Sequence, residues 1–474
     1  MGWRSRRRCG LIVALYRSSA LVIPRGRPAV LGPPPLRATT ASESLDVVRP
    51  RCVVTDVVSV ANPARGPYVE DDEVVLAKAA VHLGARERVV AYVRAGPRSR
   101  VSLDASATCA IVTCGGLCPG LNAVVQEVAR CLWTQYGVRR VLGVEGGYAG
   151  LVAGRLRLLE PRELRGVYEK GGTILGTSRG RRDPGEMVRV LEAHGVDALF
   201  VVGGDGTIRG ARAICDALPA TSAIRVVAVP KTIDNDIPLI DRSFGFLTAV
   251  AKAKEAIDTA VIEARAFPRG VGVVRLMGRN AGFLAAHAAL AAPGDVDAVL
   301  LPEKGFALDP LLDYLGDRLA QNDAAVVVVA EGVNARLRAD ERAISDVGLW
   351  LCDKLRDRFK GADAVALKYI DPSYAVRACA SNAADTILCS RLATNAVHAA
   401  AAGFTDCAVG TINAKFALLP LSDLASRASI LAVTGRLYAD LVRSTGQPEF
   451  SDGDLLCDDA DLETPSGGCF VTYD

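Results

Sequence analysis

From Cys109 to about residue 412, short apolar runs alternate with longer stretches in which apolar residues recur every three or four positions. The short runs, rich in Val, Ile and Ala, fit buried strands, and the longer period fits amphipathic helices. The pattern predicts strands at 109–113, 138–144, 198–202, 225–229, 271–276, 298–301, 325–330 and 407–412. Helices are expected between them, among them 186–194, 207–217, 248–265, 281–291 and 383–401. Such alternation implies βαβ units and a parallel α/β sheet. After Gly120, residues Val124, Val125, Val128, Leu132 and Tyr136 share one helical face, and Asn122 is expected to cap that helix. The strand from Gly270 to Met277 starts a second α/β lobe inserted in the first, with the chain returning near residue 377. Residues 43–106 read as an extension with a β-type run at Cys52-Val53-Val54 and a helix near Glu73–His82, interrupted by Pro and Gly at 63, 66, 67, 96 and 97. The tail from about 448 is rich in Asp and Gly and is expected to be loosely held. No internal repeat is evident.

Composition adds limits. At 474 residues, 50% apolar and 23% charged, the chain has the makeup of a soluble globular protein of two or more domains. No apolar run approaches the ~20 residues of a membrane span. The net charge of +3 hides an asymmetry. Residues 1–42 hold eight arginines and no Lys, Asp or Glu; the rest carries 48 basic and 53 acidic residues, a net −5. A mildly acidic body gives no electrostatic support for a nucleic-acid partner. The Arg-rich, acid-free first 42 residues resemble an organellar transit peptide, so a plastid location is expected, with the cytoplasm as alternative. The apolar run Leu11–Tyr16 leaves a secretory signal open, as does a tail with no address. Thirteen cysteines, an odd count without a C-x-x-C pair, argue against a closed disulfide framework. The four histidines (82, 194, 287 and 398) are far apart and offer no local metal-ligand spacing.

Two short segments carry most of the chemistry. Gly203-Gly204-Asp205-Gly206-Thr207 and Pro230-Lys231-Thr232-Ile233-Asp234-Asn235-Asp236 each follow a predicted strand, where open α/β sheets bind ligands. Glycines after a strand let the backbone approach a phosphate, and a following helix N-terminus adds N–H groups and a favourable dipole. Gly115–Gly120, Gly171–Gly180 and Gly203–Gly206 are three such loops, each equally readable alone as a tight turn. Asp205 suits Mg²⁺, which takes one or two carboxylates plus substrate phosphates, or it caps its own turn. Thr207 could cap the next helix or touch a phosphate. Arg179, within a glycine-rich loop, suits phosphate oxygens. Asp234 is the candidate general base for a hydroxyl attacking phosphorus, with Lys231 placed to stabilise the transferring group. An Asx-turn after the strand is the other reading of Asp234.

These segments, with Met277-Gly278-Arg279, resemble 6-phosphofructokinase. The resemblance runs from about Arg94 to Leu421, roughly two thirds of the chain, and takes in Thr113–Asn122, Gly171–Gly180, Leu300–Glu303, Ala330–Gly332 and Lys368–Tyr374. Lys368–Tyr374 and Arg94–Arg98 are most similar to the plant and trypanosomatid subgroup, which uses ATP but is related to pyrophosphate-dependent enzymes. The resemblance implies two Rossmann-like three-layer lobes with mostly parallel sheets, a nucleotide lobe at 107–245 plus 377–425 and a sugar-phosphate lobe at 246–376, with 426–474 as an extension. It implies a homo-oligomer, dimer or tetramer, that phosphorylates fructose 6-phosphate with Mg²⁺ and ATP.

Gly115, Arg179, Gly180, Gly204, Asp205, Gly206 and Thr207 would hold ATP, with Asp205 on the metal. Thr232, Ile233 and Asp234 would meet the sugar phosphate, with Asp234 as proton acceptor and Lys231 and Thr232 beside it. Met277, Gly278, Arg279, Glu331, Lys368, Tyr374, Ala375, Val376 and Arg377 would complete that site. Donor choice rests on Gly206 and Lys231: pyrophosphate-dependent relatives carry Asp at the first and Lys at the second, bacterial ATP enzymes carry Gly at the second, and this chain has the plant-type mixture. Where bacterial relatives bring an arginine from a neighbouring subunit, this chain has Gly270, with Arg269 beside it. A pyrophosphate-dependent enzyme is the alternative. NAD and lipid kinases share Gly-Gly-Asp-Gly-Thr but lack the Lys231–Asp236 and Met277–Arg279 segments, and a non-catalytic regulatory subunit would be expected to lose the base or a phosphate ligand.

Overall fold

The computed structural model describes residues 45–52, 60–64, 67–78, 89–180, 182–336, 344–425 and 429–450. The 1–42 leader, Val53-Val54, Arg181 and the tail beyond 450 lie outside the described residues.

The larger sheet has five parallel strands at its centre, in the spatial order Cys407–Ile412, Arg225–Pro230, Ala198–Gly203, Thr108–Thr113 and Arg140–Val144. Their apolar runs are nearly continuous because both faces are covered. Alternate residues feed two cores: Ile111, Phe200, Val202, Val227 and Val229 face one, and Ala110, Val112, Leu199, Val201 and Val226 the other. One flank is antiparallel, with Lys415–Pro420 against Cys407–Ile412 and Val89–Arg94 against Lys415–Pro420. The strand Leu156–Leu158 closes the other flank, antiparallel to Arg140–Val144. Chain order reverses direction at Thr108–Thr113, whose two neighbours are the next strand in sequence and Ala198–Gly203. That switch point leaves a crevice beyond the carboxyl ends of the strands. The register Val202↔Thr113 and Gly203↔Pro230 starts the 114–120, 204–207 and 231–236 loops side by side.

The second sheet is wholly parallel, in the order Ala298–Leu300, Ala324–Ala330, Gly270–Leu276, Ala366–Ile370. Leu276 is level with Ala330, so Met277 and Glu331 leave the same edge. The helix Phe246–Arg265 runs along this sheet, and Ala383–Ala401 returns the chain to the first lobe. The two helices are joined at Asp385, whose fully buried carboxylate accepts from the Thr248 amide and hydroxyl at 2.7 Å each.

Four expectations are corrected. Within the expected 73–82 helix, Val74–Leu76 is a strand antiparallel to Val89–Arg94; three β-type residues with Val75 buried gain more from pairing at the sheet margin than from a single helical turn. Residues 79–88 lie outside the described set. The helix Leu121–Gln135 is preceded not by an Asn122 cap but by Gly120, in the left-handed region at φ 99°, where a Cβ would sit 2.6 Å from the Cys389 Sγ. Asn122 instead pins the second glycine loop, donating to the Lys170 and Gly171 carbonyls and accepting from the Ile174 amide at 2.8 Å. The strand expected from 138 begins at Arg140, and the tail is held as far as residue 450. There the helix Arg436–Thr445 leads to Gln447, whose amide bonds both the N–H (2.7 Å) and the carbonyl (3.2 Å) of Val299 on the outer strand of the small sheet.

The ten cysteines among the described residues are free thiols, eight of them buried. No helix of the described residues is long and apolar enough to cross a membrane.

Candidate active site

The first two glycine loops are one unit. The Gly115 amide donates to the Ser178 carbonyl at 3.0 Å, the Thr177 hydroxyl to the Gly115 carbonyl at 2.7 Å, and the Thr113 hydroxyl to the Gly176 carbonyl at 2.7 Å. These bonds seat 171–180 on the end of the central strand. A Cβ at Gly116 would lie 3.2 Å from an Arg179 guanidinium nitrogen, so Arg179 lies across the glycine turn. Gly115 and Gly180 both have positive φ (88° and 94°).

The third loop ends the neighbouring strand. Gly204 is extended, and the helix Asp205–Ala217 starts immediately after it. Thr207 is buried, its amide donating to the Gly204 carbonyl at 2.8 Å, and its hydroxyl faces Gly115. Thr207 thus sits inside the first turn. Nothing lies within 4 Å of a Cβ built at Gly206, so the backbone there faces open space. The half-exposed Asp205 is paired with Arg209 one turn along the helix.

The 230–236 loop closes the group. Lys231 is buried, its ammonium donating to the Gly116 carbonyl at 2.7 Å, and burial lowers its pKa below the usual lysine range. The Thr232 hydroxyl donates to Asp236 at 2.8 Å and accepts from the Asp234 amide at 3.1 Å. Asn235 takes a left-handed conformation, φ 55°, and accepts from the Ser243 amide. The loop is thus an Asx/ST-type turn, and its bonds leave the Asp234 side chain uncommitted: Oδ1 is buried without a partner. Burial, then the charges of Asp236 and Glu331, push the Asp234 carboxyl up to about 7, against the pull of Lys231. Burial raises Asp236 as well, with Asp205 adding to the effect. Ile233 turns its side chain into the core, leaving only its backbone for a ligand.

Glu331 comes from the other lobe, and its influence on Asp234 marks the place where the two strand edges face each other. Around it, Gly332 donates its amide to the Gly278 carbonyl at 3.1 Å and has no room for a Cβ against the Arg279 carbonyl, which interlocks the 277–279 and 331–332 turns. Met277 is half-buried and Arg279 is exposed. On the helix Ser373–Ala378, Tyr374 and Ala375 are exposed, Val376 is buried, and the Arg377 guanidinium lies 4.9 Å from the Tyr374 ring centroid. Lys368 is not brought to this group. It is level with Gly272, four residues back from Leu276, with its ammonium 3.1 Å from Glu263 and 3.7 Å from the Phe267 ring centroid. Arg269 likewise points away, to the Asp363 carbonyl and the Phe359 ring.

Sequence reading missed Arg209 and Arg275. Arg209 carries the ordinary i, i+4 signal of a helix ion pair with Asp205. Arg275 is more telling, being a lone charge in the strand Gly270–Leu276, two residues before Met277. It bonds Glu331 and Asp371.

No group of three or more His, Cys, Asp or Glu among the described residues is spaced to hold a metal unaided. One exposed carboxylate at a glycine loop, with Asp236 near enough to act on it electrostatically, suits a hard cation that takes its remaining oxygens from phosphate and water.

Glycine loops at a switch point, facing a buried carboxyl of raised pKa, are an arrangement suited to phosphoryl transfer in an open α/β enzyme. A family model described as Phosphofructokinase matches residues 108–400. "ATP-dependent 6-phosphofructokinase 1" of Arabidopsis thaliana is 40% identical over 401 residues, covering 81% of this chain and 84% of that one. "ATP-dependent 6-phosphofructokinase 4, chloroplastic" of the same plant is 40% identical over 418 residues, 84% of this chain and 78% of that one. In fold, the chain is similar to the crystal structure of a pyrophosphate-dependent phosphofructokinase from Nitrosospira multiformis, with a TM-score of 0.63, 21% identity, and coverage of 74% of this chain and 95% of that one. The chain belongs to the phosphofructokinase family, and its two-lobed mixed α/β architecture is that family's fold.

Proposed function

We propose that the chain transfers the γ-phosphoryl group of ATP to the 1-hydroxyl of fructose 6-phosphate, giving fructose 1,6-bisphosphate and ADP. The observation that carries this reading is the Asp234 carboxylate, buried, free at Oδ1 and flanked by Lys231 on the phosphate side and Glu331 on the other. Asp234 takes the hydroxyl proton as the sugar oxygen forms its bond to phosphorus and the bond from phosphorus to the ADP oxygen breaks. Lys231, charged and desolvated against Gly116, faces the negative charge of the moving group. Gly115, Arg179, Gly180 and Gly204 to Thr207 seat the nucleotide. Asp205, with Asp236 behind it, would hold Mg²⁺, and Arg209 must give way when it does. Bound Mg²⁺ offsets charge on the donor phosphates. Met277, Gly278, Arg279, Glu331 and Tyr374 to Arg377 receive the sugar phosphate, with Arg279 and Arg377 as its cations. Lys368, turned toward Glu263, acts only across an interface between copies, consistent with a dimer or tetramer.

The open space at Gly206 supports ATP as donor and the plant-type subgroup. The purified protein assayed on fructose 6-phosphate with ATP and with pyrophosphate side by side should show turnover at least tenfold faster with ATP; faster turnover with pyrophosphate would reverse the assignment. A plastid location rests on the Arg-rich first 42 residues and on the similarity to a relative described as chloroplastic. Residues 1–42 fused to a fluorescent reporter should direct it to plastids; diffuse cytosolic signal would place the enzyme in the cytoplasm.

A further inference from the structure

Arg275 is the only charged residue of the strand Gly270–Leu276, and its side chain is largely buried, 16% exposed. One of its guanidinium nitrogens donates to Glu331 Oε2 at 3.1 Å and the other to Asp371 Oδ2 at 2.9 Å, with the Ser373 hydroxyl at 3.5 Å. The third nitrogen, Nε, lies 3.8 Å from Asp346 and makes no hydrogen bond. Asp346 has other work: its two oxygens share the Tyr369 hydroxyl, and it caps the helix Val347–Arg358 by accepting from the Leu349 amide. The polar bonds of Arg275 are therefore directed to the starts of two segments. Glu331 opens the turn after the strand Ala324–Ala330, and Asp371 with Ser373 opens the helix that carries Tyr374 to Arg377. Both segments line the proposed sugar-phosphate site, and Arg275 stands two residues before its third wall, Met277.

We propose that Arg275 is a positioning residue for the acceptor sugar phosphate: it fixes the Glu331 carboxylate and the Tyr374–Arg377 helix relative to each other. The inference rests on reading Glu331 as a contact to the sugar hydroxyls. A planar fork with several donors can hold two carboxylates from different segments at once; an ammonium of the same charge cannot hold both in fixed directions. Without it, Glu331 is free to turn and the helix start loses its tie. The nucleotide loops follow strands of the other sheet, and none of them supplies the polar partners of this arginine's nitrogens, which are Glu331, Asp371, Ser373 and Asp346.

Arg275→Gln should raise KM for fructose 6-phosphate by about 10- to 100-fold, the range for losing hydrogen bonds to charged groups. KM for ATP should stay within about twofold, and kcat should fall by less than about threefold, because the base and the donor loops are untouched. Arg275→Lys, which keeps the charge but not the fork, should recover only a small part of the loss. In a Glu331→Gln background, adding Arg275→Gln should cost much less than it does alone, because the residue it acts through is already gone. A merely structural arginine would lower thermal stability and change both KM values and kcat together, and that result overturns the proposal. So does a KM for fructose 6-phosphate within about twofold of wild type, or an undiminished effect beside Glu331→Gln. Should Arg275→Gln not fold, Arg275→Lys and Asp371→Asn are read by the same KM split. Wild-type protein with no activity on fructose 6-phosphate would refute the function itself, whereas active wild type with an unaltered Arg275→Gln refutes only the arginine's role.

Discussion

Asp234→Asn is expected to lower kcat by about 10³-fold while both KM values stay within about threefold, since a positioned base contributes roughly 10²–10⁴ in rate. The substitution keeps the side-chain shape and removes only the ability to take a proton. The 231–236 turn should survive it, because its bonds run through Thr232, Asn235, Asp236 and Ser243 rather than through the Asp234 carboxyl. Wild-type kcat/KM should rise with pH through about 7, where Asp234 of the free enzyme ionises, and level off above. The same pKa makes a second, independent readout. A carboxyl raised from its ordinary value near 3.8 to about 7 in the fold resists ionisation there. Below pH 4 it is protonated in both folded and unfolded chains and costs nothing; between the two values the cost grows, reaching on the order of 4 kcal/mol above pH 7. Asp234→Asn should therefore melt higher than wild type at pH 8, with the gap closing by pH 4, even as activity is lost. A variant with near-normal kcat would remove Asp234 from the base role.

Gly206→Asp should nearly abolish the use of ATP. With nothing within 4 Å of a Cβ there and an ordinary backbone conformation, the protein itself tolerates the side chain, so a loss cannot be blamed on folding. What the side chain meets is the incoming nucleotide. A second carboxylate beside Asp205 confronts its phosphates, and like charges juxtaposed in a site cost several kcal/mol, about 10³-fold in kcat/KM. Gly206→Ala, small and neutral, should stay within about fivefold of wild type, consistent with the open space. ATP activity retained in Gly206→Asp, measured with KM for fructose 6-phosphate as the internal control, would end the argument that this position selects the donor.

Much of the architecture could be read from the chain because its central strands are buried on both faces, which writes them as unbroken runs such as Ala198-Leu199-Phe200-Val201-Val202. The glycine loops were legible because a sharp turn past a strand end, as at Gly115 and Gly120 with positive φ, calls for glycine, and the 230–236 segment because its charges follow an apolar strand directly. Three things were not legible. The Val74–Leu76 strand exists only because Val89–Arg94 offers it an edge, a partner the local pattern does not name. Asn122 looked like a helix cap because caps favour Asn, but the Gly120 position leaves no room for any side chain and frees Asn122 to hold a loop nearly fifty residues away. Arg275 joins residues 56 and 96 positions apart, and nothing in their spacing announces it. Lys368 is matched by motif, but its strand places it level with Gly272 and paired with Glu263, away from the 277–279 and 331–332 turns of its own copy.

Gln447 has a consequence beyond holding the tail. The outer strand Ala298–Leu300 is bonded to Ala324–Ala330 on one side, and its other side would present bare backbone, a template on which a strand from another molecule could add. The primary amide of Gln447 imitates a peptide group and satisfies the Val299 N–H and carbonyl in place of such a strand. One side chain far from any chemistry thereby denies that edge to a strand from another molecule.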